Sequence, residues 1–452
     1  MSETIVVRKS GPMHLRPRLR ALRLTGLTAV LCLSGLGPAN ASKPSAEPVA
    51  FTRHVVDPAL PGAAFAIAAD VLGGPAPELV ASGFGTFLFP PGGPPVQPAG
   101  GELAIYRKGG SLDEWTKVPV FGAEEKIAFP NMPAAADVDR DGDRDLIVPG
   151  GFFQCAPAKC GSLTWWERQR TAWKRHDLVA PGSGPLFYHK AVVADLDRDG
   201  RRDLVTIGEA FPAPVALLPG LPPANAWVQM FPGLRGGGFA TTPVTLGPGG
   251  GALPEVADVD RDGDLDVASA QYFQPGASHV WLEQTRKDGF VPHVIDTGEG
   301  KAIQLSLVRN LYGDHRSRWV GSNHTNTATP GEPESRIVSY AVPADPRNPW
   351  TATPLSEGIV SRPRPGQGAP GVFGHGDVDG DGDVDLLVSG DGDPRLFWLE
   401  QHSGRRFETH VLAENAGQAG GAIVADLDRD RRDELAFTIF ESNTVAVWSR
   451  DR

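Results

Sequence analysis

Twenty carboxylates recur in this chain at a spacing that suits a hard cation. Asp137, Asp139, Asp141 and Asp145 hold positions one, three, five and nine of a nine-residue stretch that runs straight into the apolar Leu146-Ile147-Val148. Ca²⁺ takes six to eight oxygens, and a tight loop that turns every second side chain inward supplies them. Gly142 stands at the sharp turn, and position seven, Asp143, offers its backbone carbonyl. The pattern returns at Asp195, Asp197, Asp199 and Asp203, at Asp258, Asp260, Asp262 and Asp266, and at Asp377, Asp379, Asp381 and Asp385. A fifth copy, Asp426, Asp428, Asp430 and Glu434, has Arg431 where the others have glycine, so its turn needs a backbone conformation that glycine adopts at less cost. One such stretch alone would read as a solvated acidic turn. Five in one register, each delivering the chain into a short apolar run, read as five calcium sites.

The elements that position these loops repeat as well. An aromatic residue followed at a fixed distance by aliphatics begins at Phe51, Trp115, Trp173, Trp227, Phe290, Trp350 and Phe407, seven copies about sixty residues apart. Each interval holds a small-residue strand entering the acidic loop, a strand leaving it and often a third strand such as Leu163–Glu167, Val280–Glu283 or Phe397–Glu400. Two intervals keep the loop's place without its carboxylates: Asp70 to Glu78 has only the end acids, and Asn310 to Arg318 closes on a cation, so both are expected to be metal-free. Seven repeats of four strands predict an all-β chain folded as a seven-bladed β-propeller. The chain starts on an outer-strand signature (Phe51–Val56) and ends just after a third-strand one (Val445–Trp448), so the N-terminal strand is expected to complete the last blade. His54, His176, His293 and His410 sit on outer strands, where Val118, Met230 and Thr353 replace them elsewhere, and are read as structural or surface residues in preference to metal ligands. Trp165, Trp281, Trp398 and Trp448 share a repeat position suited to packing between blades.

Abundant glycine (55) and proline (42) with little helical periodicity agree with short strands joined by turns. The formal charge of −11 lacks the basic stripe of a nucleic-acid binder and resides largely in the acidic loops. Residues 1–41 read as an export signal: Arg16, Arg18, Arg20 and Arg23 precede an apolar run from Leu24 to Leu36 and a small-x-small site at Ala39-Asn40-Ala41. That run is too short to span a bilayer, so the mature chain is expected to have no membrane span and to be secreted, periplasmic or on the cell surface. Residues 42–50 would be a linker and 51–452 the propeller. Cys155 and Cys160, close together in an exported chain, suggest a local disulfide; zinc is the rival, but two thiolates with no nearby histidine fall short of four ligands.

An acidic loop feeding a Gly-rich blade, repeated behind an export signal, resembles the FG-GAP/VCBS repeat family, whose best-known members are the integrin α-subunit propellers. The resemblance spans about Phe51 to Arg452 and is strongest in the four loops with glycine. It implies a seven-bladed propeller with calcium in the hairpin between the first and second strands of a blade. The dipeptides that name the family are only partly present, as in Gly83-Phe84-Gly85 and Gly368-Ala369-Pro370.

If all metal loops lie on one face, the opposite face is free to vary, and loops on a rigid scaffold are where binding chemistry concentrates. Tyr188, His189, Lys190, Tyr272, His324 and His375 are the ligand-binding candidates, with Glu209, Asp391, Asp393, Arg395 and the insertions 89–101 and 232–251 placed on the same face. The favoured reading is a non-catalytic binding or adhesion module for an extracellular or cell-surface protein or glycan. The alternative is a carbohydrate lyase or dehydratase at the channel mouth, with His189 and His375 as base and polarising partner and Tyr188 or Lys190 as acid.

Overall fold

The structure is a computed structural model that describes residues 3–7, 49–86, 100–152, 161–285, 289–364, 366–403 and 405–451. Strands fall into seven antiparallel sheets, and among the described residues the one helical element is a 3₁₀ turn, Ala123–Glu125. Blade 1 runs through Ala63–Ala69, Glu78–Gly83, Glu102–Lys108 and Trp115–Phe121. Blades 2 to 6 repeat this order, their inner strands starting at Ala134, Phe187, Glu255, Ala302 and Phe373. In blade 7, Ala419–Ala425, Glu434–Ile439 and Thr444–Arg450 are completed by Val49–Asp57, paired from Phe51 with Arg450 to Asp57 with Val445. The N-terminal outer strand therefore closes the ring, as the sequence register predicts.

The second strand of each blade is the most buried because it has neighbours on both sides and a blade packed against each face. Its sequence is accordingly a continuous apolar run such as Leu146-Ile147-Val148, fully buried, in place of strict alternation. Seven apolar clusters fill the seven clefts between neighbouring blades. The one that joins Leu427, Ala436 and Val447 to Leu79, Ala104 and Tyr106 seals blade 7 to blade 1. The repeated histidines are part of this packing: His176, His293 and His410 lie on Trp165, Trp281 and Trp398 with ring centroids 3.9, 4.8 and 4.8 Å apart. Each also bonds a glutamate on the third strand, Glu167, Glu283 or Glu400, at 2.7–2.8 Å.

Two details depart from the sequence reading. Ala226–Phe231 is the third strand of blade 3, paired on both sides, and Val244–Pro248 is the outer one. Trp227 thus mimics an outer-strand aromatic while sitting fully buried in the middle of the sheet. Consequently the 232–243 insertion joins third to fourth strand and lies on the metal-loop face: Gly238 donates to the Val138 carbonyl and Gly233 to Asp203. The long second-to-third connection of blade 3 is 210–225.

Residues 8–48, most of the expected leader and linker, lie outside the described residues, as does the Cys155/Cys160 pair. Glu3–Val7 pairs along the outer edge of Val49–Asp57 and makes that sheet five-stranded; it belongs to the segment read as an export signal.

Candidate functional site: metal loops on one face, a cavity on the other

All five acidic loops connect a first to a second strand, so they emerge on the same face of the ring. Their internal hydrogen bonds repeat. The position-three carboxylate accepts the amide of position five, and position five accepts that of position seven, at 2.8–3.2 Å in every copy. The closing acid accepts the position-two amide at 2.7–3.2 Å in each, and in four copies its other oxygen accepts an amide of the third strand or just beyond it. These bonds hold the carboxylates in place from the backbone side and leave oxygens converging inward.

Carboxylate oxygens lie within 4.8 Å of one another for Asp137, Asp139 and Asp145, for Asp195, Asp197 and Asp199, for Asp258, Asp260 and Asp262, for Asp377, Asp379 and Asp385, and for Asp426, Asp428 and Glu434. Each cluster can hold a metal ion. Two observations show that the residues fit one. The Oδ1 atoms of Asp137, Asp195, Asp377 and Asp426, the same loop position in four copies, are buried without a hydrogen-bond partner. Burial, aided by neighbouring carboxylates, pushes Asp145 up to about 6, Asp266 to about 7, and Asp385 and Glu434 to about 8. Such charges call for a cation. Where the carboxylates are missing, an arginine stands against the remaining acid: Arg107 contacts Glu78 at 3.1 Å in blade 1, and Arg318 pairs with Asp314 in blade 5.

Left-handed backbone occurs twice per loop, at position four (Arg140, Arg198, Arg261, Gly380, Arg429) and position six (Gly142, Gly200, Gly263, Gly382). Arg431 holds position six of the fifth loop at φ 71°. Left-handed backbone costs a non-glycine residue about 1 kcal/mol, so Arg431→Gly is expected to raise the thermal midpoint by about a degree. A midpoint unchanged or lowered, with metal and with chelator, would contradict this strain.

The opposite face carries a cavity of about 560 Å³ at the channel mouth, lined by residues of all seven blades. Its wall follows a simple register. Six residues after the loop's closing position stand Phe84, Glu209, Tyr272, His324, Asp391 and Phe440; blade 2 has Gly151 there and sends in Phe152, the next residue. The count of residues from metal loop to mouth is thus nearly constant, so the equivalent position of each blade, or in blade 2 its neighbour, reaches the cavity wall. Blades 7, 1 and 2 contribute an aromatic arc, in which Phe84 meets Phe129, Phe152 and Phe440 at centroid distances of 5.3–6.3 Å. Blades 3 to 6 contribute the polar arc of Glu209, Tyr272, His324 and Asp391.

The polar arc is firmly held. His189 Nδ1 lies 2.8 Å from Glu209 Oε2, and Glu209 is fully buried. His324 Nδ1 donates to the Pro370 carbonyl at 2.8 Å, directing Nε2 toward Asp391, 4.0 Å away. Gln418 donates to Asp391, whose carboxyl is raised by burial. Burial also pushes the Tyr272 phenol up to about 12, with Asp391, Glu332 and Glu209 adding to the shift. Phe129 and Asp391 are both held in left-handed backbone, at φ 48° and 50°. For a bulky aromatic this is an outlier of the kind found at ligand clamps.

Of the sequence candidates, His189, Tyr272 and His324 line the cavity. Tyr188 does not: it is buried in the cleft between blades 2 and 3, its hydroxyl bonded to Gln229. Lys190 is on the inner strand of blade 3 and contacts Glu255 of blade 4 at 3.4 Å; His375, on the inner strand of blade 6, feels the same Glu255, and burial lowers its pKa. Neither is among the cavity's lining residues. Asp393 and Arg395 pair with each other beside the mouth. The acidic-loop motif does not mark the phenylalanine arc; the six-residue register picks out Phe84 and Phe440 but not Phe152, which stands one residue later.

No helix among the described residues is long and apolar enough to cross a membrane. No curated protein matches the chain in sequence. Among solved structures, an Agrocybe aegerita lectin described for specific recognition of non-reducing terminal N-acetylglucosamine is 15% identical, with 87% of this chain and 86% of that chain covered and a TM-score of 0.48. A Penicillium chrysogenum α-L-arabinanase is 11% identical over 88% of this chain and 97% of that one, with a TM-score of 0.46. The FG-GAP-like repeat family matches residues 377–437, which contain the fourth acidic loop and reach past the fifth. With that segment set in a closed ring of seven four-stranded blades, the chain is a seven-bladed β-propeller that carries an FG-GAP-like repeat.

Proposed function

We propose that this protein is an exported, calcium-stabilised binding module that takes a glycan at the cavity of the channel mouth. The metal loops offer only oxygens, the donor set of Ca²⁺, and their distance from the mouth makes the ion a structural clamp. The observation that carries the binding reading is the divided wall. A sugar ring has an apolar face for the arc of Phe84, Phe152 and Phe440, and a hydroxyl edge for the opposite arc. Buried acceptors await such donors: Asn131 Oδ1, Glu209 Oε1 and Gln367 Oε1 belong to lining residues and have no hydrogen-bond partner. The test is glycan-array screening of the calcium-loaded protein, then Phe84→Ala and Tyr272→Ala on the glycan found. Each is expected to weaken binding at least about tenfold while the protein stays folded. Unchanged affinity in both would remove the ligand from this cavity.

A second reading, a carbohydrate lyase or dehydratase, draws on one observation: the buried Glu209 orients His189 beside the cavity, as a carboxylate orients a general base. Tyr188 and Lys190 lie away from the cavity, so Tyr272 would have to act as the acid. Glu209→Gln separates the two readings. A binding module loses affinity in parallel with the lost contact, whereas an enzyme keeps ligand binding and loses turnover.

A further inference from the structure

We infer that the mouth takes the end of a glycan chain, standing end-on, and that the rest of the chain leaves over blade 7; this rests on the glycan-binding reading above. The cavity wall is a full circle. Residues from every blade line it, so it has no pair of open ends through which the middle of a polymer could pass. The polarity of the wall agrees: an aromatic arc faces a hydrogen-bonding arc across one cavity of about 560 Å³, a space suited to one or two rings standing between them.

The described connections around the rim differ in length. Among the described connections between second and third strands, those of blades 3 and 5 are long, 210–225 and 324–336. Phe211, at the start of the first, is 45% exposed and packs on Phe273 with ring centroids 5.0 Å apart, extending the wall upward. Blade 7 turns within 440–443 and is flanked by the short connections 414–418 and 58–62, whereas the 390–395 turn of blade 6 is backed by the long connection that follows Thr351–Pro354, whose Gly368 carbonyl accepts the Gly392 amide. Beside Phe440 this side carries polar groups, with Gln418 on Asp391 and Arg362 paired to Glu441 at 2.6 Å. A hydrated chain crosses these short turns more readily than the longer connection that carries Phe211.

The probes are the disaccharide bound tightest in the glycan screen, the linear oligomer of the same unit, and that oligomer with both ends covalently capped by bulky groups. The disaccharide and the free oligomer are expected to bind within about threefold of each other, and the capped oligomer at least about a hundredfold more weakly. Equal binding of capped and free oligomers overturns end-on recognition while leaving the cavity as the binding site. Absence of binding by every disaccharide and oligomer overturns the glycan reading and this inference with it. Ser442→Trp, at the exposed turn of blade 7, reads the exit: the oligomer is expected to lose about tenfold and the disaccharide to be unchanged. Equal effects on both ligands, including none, would refute this path.

Discussion

Excess chelator is expected to lower the thermal midpoint of the calcium-loaded protein by roughly 15 °C, since each site at a hundredfold excess of metal over Kd adds about 2.7 kcal/mol and a chain of this length shifts little more than 1 °C per kcal/mol. The effect is large because five loops draw on one folding equilibrium. Each carries an acid that burial holds above its usual range, together with like-charged neighbours, so the ion removes repulsion as well as adding bonds. The metal-free protein should also show a characteristic pH dependence. Asp145, Asp266, Asp385 and Glu434 have folded-state values raised to about 6, 7, 8 and 8. An acid raised on folding contributes stability that is fully present below its unfolded value near 4 and is lost as pH rises through the folded value. The chelated protein should therefore melt progressively earlier from pH 5 to pH 8. The loaded protein should not, because metal binding is favoured by deprotonated ligands. Melting curves with and without chelator at both pH values check this. Coincident curves would remove the structural role of the ion.

Removing residues 49–57 is expected to abolish the soluble, closed ring. Without that strand blade 7 exposes the edge of Thr444–Arg450 along its length, an invitation to intermolecular pairing. Phe51 is fully buried, its ring 6.0 Å from that of Trp398 in the cleft between blades 6 and 7. Asp57, at the far end, accepts the Tyr106 hydroxyl at 2.6 Å and contacts Lys117 at 3.0 Å, both in blade 1. One short strand thus ties three blades. Phe51→Ala in the full chain should cost about 3–5 kcal/mol, a milder version of the same lesion. A peptide spanning 49–57, added during refolding of residues 58–451, should restore monomeric protein by completing the sheet. If 58–451 alone is monomeric and melts like the full chain, the closure described here does not hold the ring.

The Arg431 backbone, the cavity-wall substitutions and the end-capped oligomers probe smaller effects, but they separate roles that the chelation and truncation experiments leave together. Chelation reports on the loops and truncation on the ring; only the wall substitutions report on the face that would meet a ligand.

The contrast between legible and illegible features is clearest in blade 3. The acidic loop at Asp195–Asp203 is recognisable by spacing alone, because ligand geometry is local: every second side chain of a tight turn points inward whatever surrounds it. The same locality makes the strand that follows each loop readable from its apolar run. Trp227 shows where this stops. An aromatic near the expected interval looked like an outer strand, yet pairing with Asp203–Glu209 on one side and Val244–Pro248 on the other puts it in the interior of the sheet. Pairing partners lie far apart in sequence, and no residue type announces them. Tyr188, His189 and Lys190 make the same point within three positions: one is packed between blades, one reaches the mouth and one contacts Glu255 in the neighbouring blade. The register between the inner strand and its neighbour shifts between Tyr188 and Ala191, which sends successive side chains where strict alternation would not.

The amino-acid sequence by itself determined the repeat number, the five carboxylate loops and the strand that closes the ring, because these follow from short-range spacing repeated seven times. Only the tertiary structure decided that Phe84, Phe152 and Phe440 face Glu209, Tyr272, His324 and Asp391 across one cavity. Each of these residues comes from a different blade, and it is closure of the circle that brings them together.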